Sequence, residues 1–257
     1  MKNEVKSKME MGLPVIGTFF ELGDATAVEC IGLSGMDFLI IDTEHGPFDV
    51  ESAMDFIRAA ELRGIEPFVR IKDHTRSSVL KMLDVGAKGL IIPNIETVEQ
   101  VKKLVEYGKY YPVGRRGFAP TRCGGYGFVE HAAADINDYF EMSNNETMII
   151  PQCETKGCMD NIEEIVSIEG VDGIFIGPYD LSIALGIPAQ FSNPVFTESI
   201  DRILNACKAA GKFIFIFSGS VEAARGYIKD GFNGIAYSLD TNILVSALRD
   251  CVKQIKA

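Results

Sequence analysis

Eight short apolar runs recur along the chain, and they alternate with longer segments of helical period. The runs begin at or next to Val15, Asp37, Glu66, Gly89, Met148, Gly173, Lys212 and Gly234. Runs that are too short for a helix and nearly all apolar are typical of parallel strands buried on both faces. The segments between them, such as residues 50–63 and 97–107, place apolar residues three and four positions apart, which predicts amphipathic helices.

Glycine follows several of the predicted helices just before the next strand. These glycines are Gly64, Gly86, Gly170, Gly211 and Gly231. The residue after a helix often takes a left-handed conformation, which glycine adopts without steric cost. Eight strand–helix units in 257 residues predict an α/β fold, a (β/α)₈ barrel, in one domain spanning residues 1–257. An open doubly wound sheet is the alternative, but no G-x-G-x-x-G motif follows the first strand.

Charge and hydropathy restrict the class of partner. The net charge of −11 disfavours nucleic acid and anionic membranes, because both bind positively charged protein faces. No window approaches the roughly 18 uninterrupted apolar residues of a membrane span. The charged start of the chain, M-K-N-E-V-K-S-K-M-E, lacks the apolar core of a secretory signal. We therefore expect a cytoplasmic protein that acts on small molecules.

Polar residues collect at the predicted strand ends, where barrels of this kind carry their chemistry. They are Asp42, Glu44 and His45 after the second run, Arg70 in the third, Gln152 and Glu154 after the fifth, and Asp180 after the sixth. Because alternate strand residues share a face, we expect Gln152 and Glu154 to point together and Cys153 to point away. Arg70 needs an anionic partner, since burying an unpaired guanidinium is too costly.

Glu154 and Asp180 are candidate metal ligands. Two carboxylates on neighbouring strands suit Mg²⁺ or Mn²⁺, which prefer oxygen ligands. The residues alone leave other roles open, because carboxylates also pair with arginines, and Asp180 is placed to cap a helix beginning at Leu181.

His45 is a candidate general acid or base. A neighbouring carboxylate, such as Asp42 or Glu44, would hold its tautomer and raise its basicity. The other two histidines, His74 and His131, are interpreted as exposed or capping residues.

Six segments together indicate a relationship to known enzymes. They are I-I-D-T-E-H-G-P-F-D at 40–49, V-R at 69–70, L-D-V-G-A-K-G at 83–89, Y-P-V-G-R-R-G at 111–117, Q-C-E-T at 152–155 and G-V-D-G-I-F-I-G-P-Y-D-L-S-I-A-L-G at 170–186. In this order they resemble the HpcH/HpaI family of metal-dependent pyruvate aldolases, which includes 4-hydroxy-2-oxo-heptanedioate aldolase and 2-keto-3-deoxy-sugar-acid aldolases. The resemblance extends across essentially the whole chain.

The resemblance implies a carbon–carbon lyase that cleaves a 4-hydroxy-2-oxo acid to pyruvate and an aldehyde through a metal-stabilised enolate. It implies a divalent cation (Mg²⁺, Mn²⁺ or Co²⁺) bound by Glu154 and Asp180. It also implies that Gln152 lies beside the 2-oxo acid and that Arg70 faces its keto oxygen. The identity of the aldehyde is the property that can least be inferred from the resemblance.

The resemblance further implies how protons and the pyruvate carboxylate are handled. His45, supported by Asp42 and Asp84, would transfer protons. The pyruvate carboxylate would lie against the backbone where a helix begins, around Gly177, Pro178 and Tyr179. Helix N-termini bind anions through their free N–H groups, although the proline offers none.

The final segment, residues 241–256, predicts an amphipathic helix. Its apolar stripe consists of Ile243, Leu244, Ala247, Leu248, Cys251 and Ile255. The residues alone favour the eighth barrel helix, with the end of the helix free to pack on a neighbouring subunit. The resemblance implies a homohexamer in which C-terminal helices are exchanged.

Several alternatives stay open from the sequence. An oxaloacetate decarboxylase or a citryl- or malyl-CoA-type lyase would use the same metal–enolate site. Lys72 would allow a Schiff base instead, and a sugar-phosphate isomerase or synthase would bind phosphate near residues 218–221. An inactive scaffold is the non-enzymatic alternative. A long Gly- and Arg-rich loop, residues 111–130 with Arg115, Arg116 and Arg122, is expected to be functional.

Overall fold

The computed structural model describes residues 2–129 and 135–257, so His131 lies outside the described residues. The described residues form eight parallel strands that close into a barrel in sequence order. The strands are β1 Val15–Phe20, β2 Phe38–Asp42, β3 Glu66–Arg70, β4 Gly89–Ile92, β5 Met148–Cys153, β6 Gly173–Ile176, β7 Phe213–Ser218 and β8 Gly234–Leu239. Strand β8 pairs with both β7 and β1 and closes the ring. The predicted (β/α)₈ barrel is confirmed.

Helices connect the strands. They are α1 Glu4–Glu10, α2 Ala25–Leu33, α3 Val50–Arg63, α4 Arg76–Asp84, α5 Val98–Gly108, α6 Ile136–Glu146, α7 Lys156–Asp160, α8 Ile162–Ser167, α9 Pro178–Ala184, α10 Pro194–Ala210, α11 Val221–Asp230 and α12 Asp240–Lys256. A 3₁₀ helix, Arg122–Gly127, lies between α5 and α6. None of the described helices has both the length and the hydropathy to cross a bilayer. Left-handed glycines follow α3 and α10 as expected, with φ of 68° at Gly64 and 65° at Gly211.

Two apolar clusters divide the strand side chains by face. Phe68 belongs to the cluster inside the barrel, whereas Val69 and Ile71 belong to the layer between strands and helices. Cys153 also lies in that outer layer, as the alternation predicts. The strand residues that flank these positions, Arg70 and Gln152, therefore project toward the inside of the barrel at its C-terminal end.

Three glycines make room for three phenylalanine rings inside the barrel. The directly paired residues are Gly17 with Phe38, Gly89 with Phe68, and Gly234 with Phe215. A Cβ atom on Gly234 would lie 2.0 Å from Cδ1 of Phe215, which is far inside van der Waals contact. The three rings also contact one another, with centroids 5.3 to 6.1 Å apart. The rings fill the interior because their paired residues have no side chain.

Helix α12 differs from the other long helices because it does not cover the barrel. Its contacts are with β1 and β8, and every residue from Leu244 to Ala257 is exposed. Leu248 is 57% exposed and Ile255 is 84% exposed. The expectation of a packed eighth barrel helix is therefore wrong. The apolar stripe exists, but within one chain it faces solvent.

The glycine–phenylalanine packing gives a stability prediction. Gly234→Ala should lower the free energy of unfolding by about 1–3 kcal/mol, because the added methyl group overpacks against Phe215. Urea denaturation followed by circular dichroism measures the change. The matched control is Gly226→Ala in α11, where nothing lies within 4 Å of the added Cβ. That control should stabilise the protein by about 0.5–1 kcal/mol through helix propensity. Equal effects of the two substitutions would contradict the packing account.

Candidate active site

A bidentate ion pair joins the ends of β2 and β3. Asp42 and Arg70 are directly paired in the strand register. Arg70 donates from Nε to Oδ1 of Asp42 at 2.9 Å and from Nη2 to Oδ2 at 2.5 Å, and Asp42 is 0% exposed. Oδ1 of Asp42 also accepts from the backbone N–H groups of Glu44 (3.1 Å) and His45 (3.3 Å). One carboxylate thus fixes both the guanidinium and the turn that carries His45.

The Arg70 guanidinium is held charged at the mouth of the barrel. Burial lowers its pKa, but the hydrogen bonds and negative charges of Asp42 and Glu44 outweigh burial, and the pKa of Arg70 is raised. Nε of Arg70 lies 3.3 Å from Oε2 of Glu44, and its guanidinium carbon lies 4.7 Å from the centre of the Phe19 ring. These contacts leave the guanidinium little rotational freedom, so its charge has a fixed position.

Asn94 connects the Arg70 side of the site to Glu154. Its side-chain amide donates to Oε1 of Glu44 at 3.0 Å, and its backbone N–H donates to Oε1 of Glu154 at 2.8 Å. Asn94 has φ of 53°, a left-handed conformation that asparagine tolerates better than most residues. The sequence places Asn94 after the fourth strand, but only this backbone conformation reveals its bridging contacts. Glu44, which the sequence suggests only as a neighbour of His45, belongs to the same network through Asn94 and Arg70.

Gln152 and Glu154 point into the site together. The side-chain amide of Gln152 donates to Oε2 of Glu154, whereas Oε1 of Gln152 is buried and has no hydrogen-bond partner among the described residues. Burial raises the pKa of Glu154, and the nearby Glu44 and Asp180 carboxylates raise it further. Gly177 passes so close that an added Cβ would lie 2.7 Å from Oε2 of Glu154. Among the described residues, Glu154 forms no salt bridge, although its charge acts on the nearby Arg70, and Oε1 of Gln152 accepts no hydrogen bond.

Asp180 lies in the first turn of α9. The residue that caps this helix is Gly177, so the alternative interpretation of Asp180 as the cap is wrong. Asp180 is exposed and faces the same cavity as Gln152 and Gly177. The first backbone hydrogen bond of the helix runs from the N–H of Leu181 to the carbonyl oxygen of Gly177. The N–H of Tyr179 therefore has no acceptor within the helix.

The residues present fit a hard divalent cation. Within residues 2–129 and 135–257, no cluster of three or more histidine, cysteine, aspartate or glutamate side chains is arranged to hold a metal. Two carboxylates, Glu154 and Asp180, with the amide oxygen of Gln152 nearby, make an all-oxygen donor set. Such a set suits Mg²⁺ or Mn²⁺, which keep several positions for water and substrate.

A cavity of about 450 Å³ opens at the C-terminal ends of the strands. Its lining includes seven of the predicted residues: His45, Arg70, Gln152, Gly177, Pro178, Tyr179 and Asp180. The lining residues that the sequence did not single out are Phe19, Phe175, Phe217, Gly219, Ser238, Leu239 and Asn242. Inward alternation on β1, β6 and β7 is the signal for the phenylalanines. Nothing in the sequence marks Asn242.

His45 and Asp84 are not brought together within one chain. The His45 side chain is 69% exposed, and its nearest carboxylate is that of Glu44, with Oε2 3.9 Å from Nε2. Asp42 contacts the backbone of His45. Asp84 ends α4 at the opposite end of the barrel, where its Oδ1 accepts from Nη2 of Arg116 at 2.9 Å. Within a single chain, therefore, Asp84 does not support His45, contrary to the prediction.

Other polar candidates serve structural contacts away from the cavity. Arg116 is buried against Asp84, and Arg122 pairs with Glu61, so the arginine loop does not reach this cavity. Lys72 lines a separate groove. His74 lies half-buried with Nε2 2.6 Å from the carbonyl oxygen of Pro93.

The Asp42–Arg70 pair gives a prediction about stability. Asp42→Asn should lower the free energy of unfolding by about 3 kcal/mol or more, because it leaves a buried guanidinium without its main counter-charge. Chemical denaturation at neutral pH measures the loss. Asp55→Asn, which removes the exposed partner of Arg58, is the control and should cost less than about 1 kcal/mol. Similar losses for both variants would show that the buried pair has no special role.

The chain is similar to known proteins over nearly its whole length. The model of the HpcH/HpaI aldolase/citrate lyase family matches residues 15–247. Over 250 residues, covering 96% of this chain and 91% of each relative, the chain is 32% identical to hydroxypyruvate/pyruvate aldolase of Agrobacterium fabrum and 30% identical to 2-keto-3-deoxy-L-rhamnonate aldolase of Escherichia coli K12. A crystal structure of an HpcH/HpaI aldolase/citrate lyase family protein from Burkholderia cenocepacia superposes with a TM-score of 0.91 at 31% identity, covering all of both chains. The chain belongs to the HpcH/HpaI aldolase/citrate lyase family and is a carbon–carbon lyase.

Proposed function

We propose that this chain is a divalent-metal-dependent aldolase that cleaves a 4-hydroxy-2-oxo acid to pyruvate and an aldehyde, and catalyses the reverse condensation. The observation that carries the proposal is that Arg70, Gln152 and Asp180 line one cavity, and that the side chain of Gln152 is hydrogen-bonded to Glu154. The buried, unpaired Oε1 of Gln152 is the feature that a purely structural network would not leave.

The chain's own residues bind and orient the 2-oxo acid. A divalent cation held by Glu154 and Asp180 would supply Lewis-acid polarisation of the 2-oxo group. The fixed guanidinium of Arg70 donates to the same oxygen and stabilises the negative charge that develops on it during cleavage. The free N–H groups at the start of α9 bind the carboxylate of the acid.

Cleavage then requires one proton to leave the 4-hydroxyl group. His45, whose ring is exposed at the mouth of the cavity, accepts that proton. The bond between C3 and C4 breaks, the aldehyde leaves, and the electron pair moves to the 2-oxygen of the pyruvate enolate. The proton held by His45 is then returned through water to the methylene carbon, which gives pyruvate and restores the neutral ring. Oε2 of Glu44 lies 3.9 Å from Nε2 of this ring.

The proposal is tested first on pyruvate alone. In D₂O with Mn²⁺ or Mg²⁺, the protein should exchange the methyl protons of pyruvate, as seen by NMR, and EDTA should abolish the exchange. Glu154→Gln should weaken Mn²⁺ binding, measured by EPR titration. The affinity should fall by more than the roughly 10–100-fold that is typical when a residue contacting a metal ligand is replaced. Glu99→Gln, at an exposed glutamate of α5, is the matched control.

Two results would contradict the proposed mechanism. Exchange that persists in EDTA and is abolished by borohydride would replace this mechanism with a Schiff base. Unchanged Mn²⁺ affinity of Glu154→Gln would show that the cation binds elsewhere.

We also propose that the protein is a homo-oligomer held together in part by α12, a hexamer by family resemblance. Helices in proteins are stabilised mainly by the packing of their apolar face, so a helix whose apolar side chains face solvent needs a partner surface. Leu244, Leu248 and Val252 are each about half exposed or more and lie on one side of the helix. A neighbouring subunit would bury them.

A single substitution tests the role of α12. Leu248→Gln should shift the molar mass measured by light scattering toward the monomer, because it places an amide in the apolar contact. The control is Ser246→Gln on the opposite side of the same helix, which should keep the assembly of the unmodified protein. A monomeric unmodified protein, or an unchanged assembly in Leu248→Gln, would contradict the proposal.

A further inference from the structure

Glu21 is a carboxylate at the mouth of the barrel that the proposed function does not use. It directly follows β1, in which Phe19 lines the cavity and Phe20 packs in the outer apolar layer. Alternation along the strand therefore places Glu21 on the inward side. Phe20 is paired with Ile41 in the strand register, so Glu21 comes next to Asp42 where β1 and β2 end.

The backbone of Glu21 is anchored, whereas its side chain has no partner. Oδ1 of Asp240 accepts from the N–H of Glu21 at 2.9 Å, and Oδ2 accepts from the N–H of Leu22 at 3.1 Å. Asp240 is 5% exposed and begins α12, so the turn after β1 is tied to the start of that helix. The half-buried carboxylate of Glu21 forms no hydrogen bond or ion pair with another described residue. Both of its oxygens are therefore available as acceptors.

Charged groups from four elements act on the Glu21 carboxylate. Burial raises the pKa of Glu21, and the negative charges of Asp42 and Asp240 raise it further. Arg70 and His45 act in the opposite direction. The Arg70 guanidinium is already paired with Asp42. Of the two basic groups, His45 is therefore the one whose protonation would supply a new positive charge to Glu21.

The two carboxylates nearest to His45 in sequence are occupied by other groups. Asp42 accepts from the backbone N–H of His45 and uses both carboxylate oxygens for Arg70. Glu44 accepts from the amide of Asn94 and lies 3.3 Å from Nε of Arg70. Its Oε2 is 3.9 Å from Nε2 of the imidazole, which is beyond hydrogen-bond distance. The ring is 69% exposed, so it is free to turn about its side-chain bonds.

We propose that Glu21 is the positioning residue that orients His45 for proton transfer. The Glu21 carboxylate accepts a hydrogen bond from the imidazole N–H, which holds one tautomer of the ring and leaves the other nitrogen to take the proton. Once the ring is protonated, the same contact becomes a charge-assisted hydrogen bond that stabilises the imidazolium. This proposal rests on the proposed function and assigns a further residue to the same site.

The first test is ¹⁵N NMR of the protein labelled in its histidines, at a pH where the imidazole rings are neutral. The ¹⁵N shifts show which ring nitrogen carries the proton, and a His45→Gln variant identifies the signals of His45. Glu21→Gln should change the ratio of the two tautomers by about fivefold, because an amide is a weaker acceptor than a carboxylate. The matched control is Glu51→Gln, at an exposed glutamate in the first turn of α3, which should leave the ratio unchanged.

The second test is the exchange of the pyruvate methyl protons in D₂O with Mn²⁺. Glu21→Gln should lower the exchange rate at saturating pyruvate by about tenfold or more, because His45 moves the proton. The half-saturating concentration of pyruvate and the Mn²⁺ affinity should stay within about twofold, since Glu21 binds neither. Glu21→Asp, which keeps the charge, should recover part of the lost rate, and Glu51→Gln should exchange like the unmodified protein.

Three results would overturn the role of Glu21. They are a tautomer ratio that Glu21→Gln leaves at the control value, an exchange rate equal to that of the control, and a loss of Mn²⁺ affinity, which would make Glu21 a metal ligand instead. If the unmodified protein shows metal-dependent exchange, these results overturn this proposal alone. If that exchange is missing from the unmodified protein, the proposed function falls and the role of Glu21 falls with it.

Discussion

The bidentate contact between Asp42 and Arg70 is the interaction on which the rest of the site depends. A guanidinium inside a barrel is too costly unless a carboxylate meets it in good geometry, and the strand register places these two residues side by side. The same carboxylate orders the turn that carries His45. One pair of neighbouring strands therefore determines the position of the Arg70 charge, the turn after β2 and the position of His45.

Asn94 extends this arrangement to Glu154. Through its amide and its backbone N–H it holds Glu44 and Glu154 at fixed positions, although these two carboxylates follow different strands. The arginine side and the carboxylate side of the site thus share one hydrogen-bond network.

The sequence predicts those features that follow from local pattern. Strand periodicity identifies the barrel and the inward face of Gln152 and Glu154, since both follow from residue spacing. It does not locate Asp84, because the length of α4 carries that residue to the far end of the barrel. Nor does it predict that α12 stands free, since an amphipathic pattern specifies an apolar face without specifying the surface that covers it.

The phenylalanine rings that fill the barrel interior also determine how reactants travel. With Phe38, Phe68 and Phe215 packed across the interior, the cavity communicates with solvent through its mouth. In the proposed reaction, the 2-oxo acid is bound in the inner part of this blind cavity and the aldehyde in its outer part. We therefore expect ordered release, in which the aldehyde leaves before pyruvate.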